Sequence, residues 1–520
     1  MNLFMGLDSS TQGVKTVIID PDQGSILASD SVNYGKELGE KYESPEGVLP
    51  NKDPLIKHSN PLMWVEALEM LFEKIKKKRI PLDEIKAISG CGQQHGSVYL
   101  NNKFDALISS PPKGKDLYQV LGDALSRKSS PIWMDSSTGE QCRILSEKIG
   151  TEEIRRRSGS APVERFTGPQ IMKFYQSEPN AYANTSKIHL VSSFICSVLC
   201  GKSAPIDFGD GSGMNIMNLQ TLKWDDELCS AVAKDLKRKL PSLAPATSIV
   251  GEINPYFLKY GFSKDTEVTV WTGDNPASLV GSGASGGSVA VISLGTSDTF
   301  FSAMKKPLTD PDGCGHVFGN PAGGFMSLIC FKNGSLAREK IKAECGVDWD
   351  FFGGAAFQDT IPGGGTDNIM VAHFFPEITP LRINPKLKFS GSEDFTKGKA
   401  DKALKIRAIV ESQMLAIKLH SAWMGEKFKT IRITGGGSKS KGICQTAADV
   451  FGSSVETISI PDSAALGAAM IAASSRGYDL SSLSANFAKP TGRIEPNPNN
   501  TALYDRMLEK YRELEREDRV

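Results

Sequence analysis

A chain of 520 residues has room for two to four domains with sizeable cores, which excludes a peptide ligand or a single small module. With 60 Lys and Arg against 60 Asp and Glu the formal net charge is zero, so no global attraction to nucleic acid or to an anionic membrane is expected. The fractions of hydrophobic (40%), charged (23%) and aromatic (8%) residues are those of a water-soluble globular protein and exclude a disordered or fibrous one.

In chain order, LFMGL and TVIID read as strands joined by the polar turn DSSTQGVK. The carboxylate of Asp8 precedes any apolar stretch long enough for a signal peptide, so export is not expected. From Pro61, the residues Trp64, Leu68, Leu71, Phe72 and Ile75 recur at helical spacing behind the candidate caps Ser59 and Asn60, which predicts a core-facing helix over about 61–78. A short strand at IKAIS leads into the loop GCGQQHGS, and this alternation of strands and helices points to α/β layers. GSGASGGS, residues 281–288, is the clearest break in composition, and the main domain boundary is expected there, with domains over 1–284 and 285–485. SVAVISLGTSDTFFSAM repeats the opening strand–turn–strand pattern, which implies two related domains facing each other. A helix over about 405–427 then precedes the strand KTIRIT, the loop GGGSKS, the helix GICQTAADVFG, the strand VETISI and the helix DSAALGAAMIAASS. The segment 486–520 reads as a linker, EPNPNN, and a charged surface helix with Leu503, Met507, Tyr511 and Leu514 on one face. The most apolar small-residue run, AALGAAMIAA, has about half the length needed to span a bilayer. Nine cysteines, an odd number without a CxxC pair or zinc spacing, fit reduced thiols in the cytoplasm.

Several residues offer chemistry. Gly435, Gly436 and Gly437, between a strand and a helix, let backbone amides approach a flat or anionic ligand such as a nucleotide; the plain alternative is a tight turn. Gly295, Thr296 and Ser297 in the second hairpin, and Asp8, Ser10, Thr11 and Gly13 in the first, supply small donors suited to phosphate oxygens, although neither turn is a Walker A loop. GSGASG satisfies GxGxxG, but it leads into a strand and so does not read as a dinucleotide site. GASGG around Ser285 matches a hydrolase elbow only through low complexity. Asp274, in VTVWTGDNPASLVG, stands where helix capping is the ordinary role. Asn275 can fill that cap, which leaves the Asp274 carboxylate to face a cleft as an ionised general base. His95, in a glycine-flanked polar loop, suits a sugar hydroxyl or a structural role equally, and Arg165 in PVERFTG by itself reads as a surface charge.

Taken together, GLDSSTQGVKT, SLGTSDT, TGGGSKS with ADVFG, and SAALGAAM resemble, in the same order, the phosphate, adenosine and connecting segments of the actin, hexokinase and heat-shock ATPase superfamily. Within it the chain resembles the FGGY carbohydrate kinases, most closely the eukaryotic type acting on D-xylulose. The strings that carry this run from Leu3 to about Arg476 and include NPLMWVEAL, AISGCGQQHGSVY, PIWMDSSTGEQCR, ERFTG, LVSSF, PIDFGDGSGMN, WTGDNPASL and CFKNGSLAREKI. The resemblance implies an α/β fold of two related actin/hexokinase-like (ribonuclease H-like) domains with a ligand cleft between them. It also implies an enzyme that uses ATP and magnesium to phosphorylate D-xylulose to D-xylulose 5-phosphate, with a ribulose or glycerol kinase and a sugar-independent ATPase as the alternatives. No nucleic-acid or membrane partner is expected, and the assembly is expected to be a monomer or homodimer.

Residue by residue, the resemblance implies Asp274 as the base and His95, Arg165, Asp274 and Asn275 as sugar contacts. Asp8 falls near the metal and phosphates with Thr11 beside it, Gly295 and Thr296 fall on the second phosphate turn, and Gly435, Gly436 and Gly437 fall on the adenosine loop. Trp349 falls on a wall of the adenine pocket. Ser440 stands where relatives often have Asn, which implies nucleotide binding through backbone there. PGGGTDN (362–368) and the last thirty or so residues have no counterpart with a role.

Overall fold

The computed structural model describes residues 1–516, and two mixed sheets organise them. The first sheet contains β1 (Leu3–Ser9), β2 (Gly13–Asp20), β3 (Ser25–Asn33), β4 (Ile85–Gly92), β5 (Ile249–Glu252), β6 (Glu267–Thr269) and β7 (Thr272–Gly273). Their order is β5-β6-β4-β1-β2-β3, with β7 beside β4. β1 is buried along its whole length, as a central strand covered on both faces should be. Helix α1 (Pro61–Lys77) starts where the Asn60 side chain accepts from Leu62 N, with Pro61 in the first turn, and it packs Trp64, Leu68, Leu71, Phe72 and Ile75 into the cluster formed by Leu3, Met5 and Leu7. Helix α2 (Asp274–Gly281) follows β7 directly.

The second sheet contains β8 (Val289–Leu294), β9 (Asp298–Met304), β10 (His316–Gly319), β11 (Phe325–Phe331), β12 (Thr430–Gly435), β13 (Ser454–Thr457) and β14 (Gly492–Ile494). Its order is β10-β11-β9-β8-β12-β13-β14. Stepping along β3-β2-β1-β4-β6-β5, neighbours pair antiparallel, antiparallel, parallel, parallel and antiparallel. The path β11-β9-β8-β12-β13-β14 repeats that series. The two halves are therefore topological repeats, as their matching strand–turn–strand openings imply.

Around the second sheet lie α3 (Ser335–Cys345), α4 (Lys402–Ser421), α5 (Lys441–Phe451), α6 (Ser463–Ser475) and α7 (Pro498–Arg516). α4 stops short of the expected residue 427, because Gly425 takes a left-handed conformation at φ 66°. α7 is more than a surface helix. Tyr504, Met507, Tyr511 and Glu515 are buried, and Leu503 and Leu514 only flank that stripe.

α2 and α6 are exchanged between the halves. α2 springs from the first sheet, yet its Leu279 joins Val291, Phe301 and Met326 of the second, whereas α6 follows β13 and rests Ala465, Leu466 and Ala469 on Phe4, Val17 and Ile19 of the first. The two helices touch backbone to backbone. A Cβ on Gly281 would lie 1.9 Å from Ser463 O, and one on Gly467 would lie 1.9 Å from Ala277 O. Thus Gly281 and Ala284, inside the low-complexity stretch, are buried contact points, and exposure is confined to Gly286 and Gly287. Among the described residues no helix is long and apolar enough to cross a membrane.

Candidate active site

The carboxyl ends of the parallel strands of the first sheet bring three residues into line: Asp8 on β1 is paired with Cys91 on β4, and Cys91 with Thr272 on β7. Such strand ends are where open α/β sheets gather ligands. Two residues past Thr272, Asp274 opens α2. The helix is capped by Gly273, in an extended conformation and without a side-chain cap, so the expected Asn275 cap is corrected. The Asn275 side chain is taken up by Gln94 and Asp274, and at 273 only glycine fits, since a Cβ there would sit 2.4 Å from Gln94 Cγ. Asn275 instead donates from Nδ2 to Gln94 Oε1 (2.9 Å) and to Asp274 Oδ1 (3.1 Å). Gln94 N (3.3 Å) and Asn275 N (2.9 Å) also donate to Oδ1, which leaves Asp274 Oδ2 for a ligand.

Burial pushes the Asp274 carboxyl up to about 6, against the backbone N–H groups that favour its charge. Asp8 is pushed to about 7, first by burial and then by the charge of Asp274, with the Cys91 thiol (3.5 Å) and Lys15 opposing. Lys15 in turn pairs with Asp462, just before α6, at 2.8 Å. Thr11 accepts from Trp133 Nε1 at 2.7 Å and donates to Gln93 Oε1 at 3.4 Å.

The segment PIDFGDGSGMN ties this corner together. Thr272 Oγ1 donates to Asp207 Oδ2 (2.7 Å), Gln94 Nε2 donates to Gly209 O (3.5 Å), and His95 Nδ1 donates to Gly213 O (2.8 Å). A carbonyl only accepts, so His95 carries its proton on Nδ1 and leaves Nε2 as an acceptor. Burial, with Arg165 nearby, lowers its pKa to about 3, which keeps the ring neutral. The ring stacks on Phe166 at 4.2 Å, and the backbone of His95 adopts φ 71°. Arg165 is half-buried and donates from Nη2 to His316 Nε2 at 3.1 Å.

A second set gathers in a cleft of about 950 Å³ on the other half, lined by Gly295, Thr296, Trp349, Gly436 and Gly437 among others. Trp349 is 47% exposed and stands edge-on to Phe352 at 5.2 Å. Gly435 does not line this cleft; it ends β12 at φ 85°, where a Cβ would lie 2.4 Å from Leu294 O. The candidate residues thus fall into a first-lobe group (Asp8, Thr11, His95, Asp274, Asn275) and a second-lobe group, with Arg165 reaching the second lobe through His316.

Residues 126–281 match the model described as FGGY family of carbohydrate kinases, N-terminal domain, and residues 290–476 match that of the C-terminal domain. The chain belongs to the FGGY carbohydrate kinases. It is 40% identical to xylulose kinase of Rattus norvegicus over 98% of this chain and 96% of that one, and 36% identical to xylulose kinase 2 of Arabidopsis thaliana over 91% and 87%. The fold matches ligand bound xylulose kinase from Lactobacillus acidophilus (TM-score 0.81, 21% identity, 99% of this chain and 97% of that one). It also matches Plasmodium falciparum glycerol kinase with ADP (TM-score 0.78, 18% identity, 99% and 98%).

Several residues of this FGGY kinase that shape the site carry no mark in the sequence. Arg338, on α3 under the cleft, makes a buried two-pronged pair with Asp298 (2.7 and 2.9 Å) and reaches Gln413 Oε1 (2.9 Å). Asp207 and His316 act on partners far along the chain, Thr272 and Arg165, which no local spacing displays. Ser440 accepts from Ile443 N (3.1 Å) as the cap of α5 and donates to Gly353 O (2.8 Å), so its hydroxyl is spent within the protein.

Proposed function

We propose that this kinase transfers the γ-phosphoryl group of ATP to the terminal hydroxyl of D-xylulose, giving D-xylulose 5-phosphate, with Asp274 as general base. The observation that carries the base is the carboxylate itself: three donors fix Oδ1, and Oδ2, at the ends of the first sheet's parallel strands, has no partner among the described residues. The attacking hydroxyl forms an O–P bond as its proton passes to Oδ2, and the bond from the γ-phosphorus to the bridging oxygen breaks to release ADP. The near full-length relatives named xylulose kinase support the sugar. His95 Nε2 accepts from a sugar hydroxyl, Asn275 orients the base, and the Arg165 guanidinium donates to sugar oxygens. Gly295, Thr296, Gly436 and Gly437 offer backbone and hydroxyl donors to the nucleotide, and Trp349 walls its base. Gly435 shapes the turn from below.

Magnesium fits the donor set: Asp8 and Asp274 are two carboxylates whose burial and mutual repulsion a divalent cation relieves. Among the described residues no cluster of three ligating side chains exists, so Asp8 would hold the ion with water and phosphate oxygens completing its shell. Bound there, it supplies charge neutralisation on the phosphates. One chain carries every group named, so a monomer, or each subunit of a homodimer, would hold a complete site. The nine cysteines, an odd number without a CxxC pair, suit a reducing, cytoplasmic setting.

ADP release from magnesium-ATP is the test, run across D-xylulose, D-ribulose, L-ribulose, glycerol and no sugar. D-xylulose is expected to stimulate most; another polyol would overturn the substrate, and sugar-independent hydrolysis would overturn the sugar kinase reading. Asp274→Ala is expected to lower turnover by about 10² to 10⁴ while ATP binding persists. A variant keeping a tenth of the turnover would remove Asp274 from the role of base.

A further inference from the structure

We infer that His316, contributed by the second lobe, is the positioning residue for Arg165 in the sugar pocket, its Nε2 serving as the neutral acceptor that aims the guanidinium at the ligand. The inference rests on the reading of Arg165 as a sugar contact.

Arginine has only donors, so the 3.1 Å contact makes His316 Nε2 the lone-pair nitrogen. Nδ1–H then donates to Ser160 Oγ at 3.2 Å, and the tautomer is set from both sides. Burial and the neighbouring guanidinium keep this imidazole uncharged; it is only 4% exposed. Among the described residues Arg165 has no other hydrogen-bond partner and no carboxylate in contact. A carboxylate in place of His316 would pair with the guanidinium and neutralise it. An imidazole fixes the direction of the side chain yet leaves its charge and its remaining N–H groups for the oxygens of a polyhydroxylated ligand.

The packing supports a fixed geometry. Phe166, next in the chain to Arg165, is held between two histidines, His95 from the first lobe at 4.2 Å and His316 from the second at 5.2 Å. β10 is also fastened to the first lobe just past this contact. Val317 N donates to Gly159 O (3.1 Å), and Gly319 N donates to Ser212 Oγ (3.0 Å), within the segment that holds His95. The edge strand of the second sheet therefore completes the sugar pocket of the first.

His316→Phe keeps an aromatic ring against Phe166 and deletes the acceptor. It is expected to raise KM for D-xylulose about tenfold, the loss of a hydrogen bond to a charged group, with KM for ATP unchanged. His316→Gln restores an acceptor near the Nε2 position and is expected to stay within about threefold of the unaltered enzyme. In an Arg165→Ala background, His316→Phe is expected to cost nothing further. The inference is overturned if His316→Phe leaves the sugar KM alone, if His316→Gln is as impaired as His316→Phe, or if the loss persists in the Arg165→Ala background. Should Arg165→Ala itself leave the sugar KM unchanged, the reading of Arg165 falls first and the role of His316 with it.

Discussion

As the proposed base, Asp274 has to be ionised to accept a proton, yet burial holds its carboxyl at about 6, above the ordinary carboxylate range. kcat/KM for D-xylulose is therefore expected to fall as pH drops through about 6, by about tenfold per unit below it, and a profile flat down to pH 5 would exclude this base. Stability moves the other way. A folded-state pKa raised above the unfolded value contributes stability that is full below the unfolded pKa of about 3.9 and is lost as pH rises through about 6. Asp274→Asn is accordingly expected to stabilise the metal-free protein at pH 7.5 by up to about 2 kcal/mol, discounted for its partial exposure, and to bring no gain at pH 4. Urea unfolding at the two pH values measures this. Equal effects at both would mean that desolvation of the charge is not what the site sustains. A base near neutrality and a destabilised carboxylate are one fact seen in two experiments.

Among elements, the crossing of α2 and α6 is the most exacting contact. At Gly467 the nearest atom to an added Cβ is the Ala277 carbonyl oxygen, at 1.9 Å, and backbone cannot swing aside as a side chain can. Gly467→Ala is expected to destabilise by about 3 kcal/mol, at the upper end of ordinary overpacking, and to lower turnover by separating the lobes; chemical denaturation that finds less than about 0.5 kcal/mol would show that the crossing can relax. The sequence displays little of this contact. Strands β1, β2, β8 and β9 are legible because apolar runs flank polar turns, and α1 is legible because its apolar residues recur at helical spacing behind Asn60 and Pro61. Gly281 and Ala284 read as linker because composition counts residue types, whereas α6, some 180 positions further on, packs against Gly281, and Val291 and Phe301 of the second sheet pack with Ala284. Asn275 reads as a cap because local propensity favours it there, whereas Gln94, from a distant loop, engages its side chain and Gly273 stands at the cap. Loop and cap chemistry draw attention to His95 and Asp274 as candidates. Asp207, His316 and Arg338 escape notice, since each is defined by a partner far along the chain. α7 is similar: its Tyr504 hydroxyl donates to Glu411 (2.7 Å), whose Oε1 also accepts from Gly363 N in the PGGG loop, a link that no local pattern displays.

At the scale of the whole molecule, the two candidate groups sit on different lobes, and the chemistry needs them in one place. The lobes meet through small residues at the α2–α6 crossing, through the Lys15–Asp462 pair and along β10, while Thr296 and Gly436 of the second-lobe group are exposed. Tight backbone contact at one line beside exposed loops is the arrangement of a pivot, and closure around both substrates would exclude the water that otherwise wastes ATP. A compact chain of this length has a radius of gyration of about 24 Å, and an open two-lobed one lies above that. Small-angle scattering is expected to show the radius falling toward this value when D-xylulose and a non-hydrolysable ATP analogue are bound together, and to show a smaller change with either alone. An unchanged radius with both bound would mean that the lobes are already closed, and that water is kept from the γ-phosphate by side chains of a fixed cleft, with β10 and its His316 contact forming a static wall in place of a closing one.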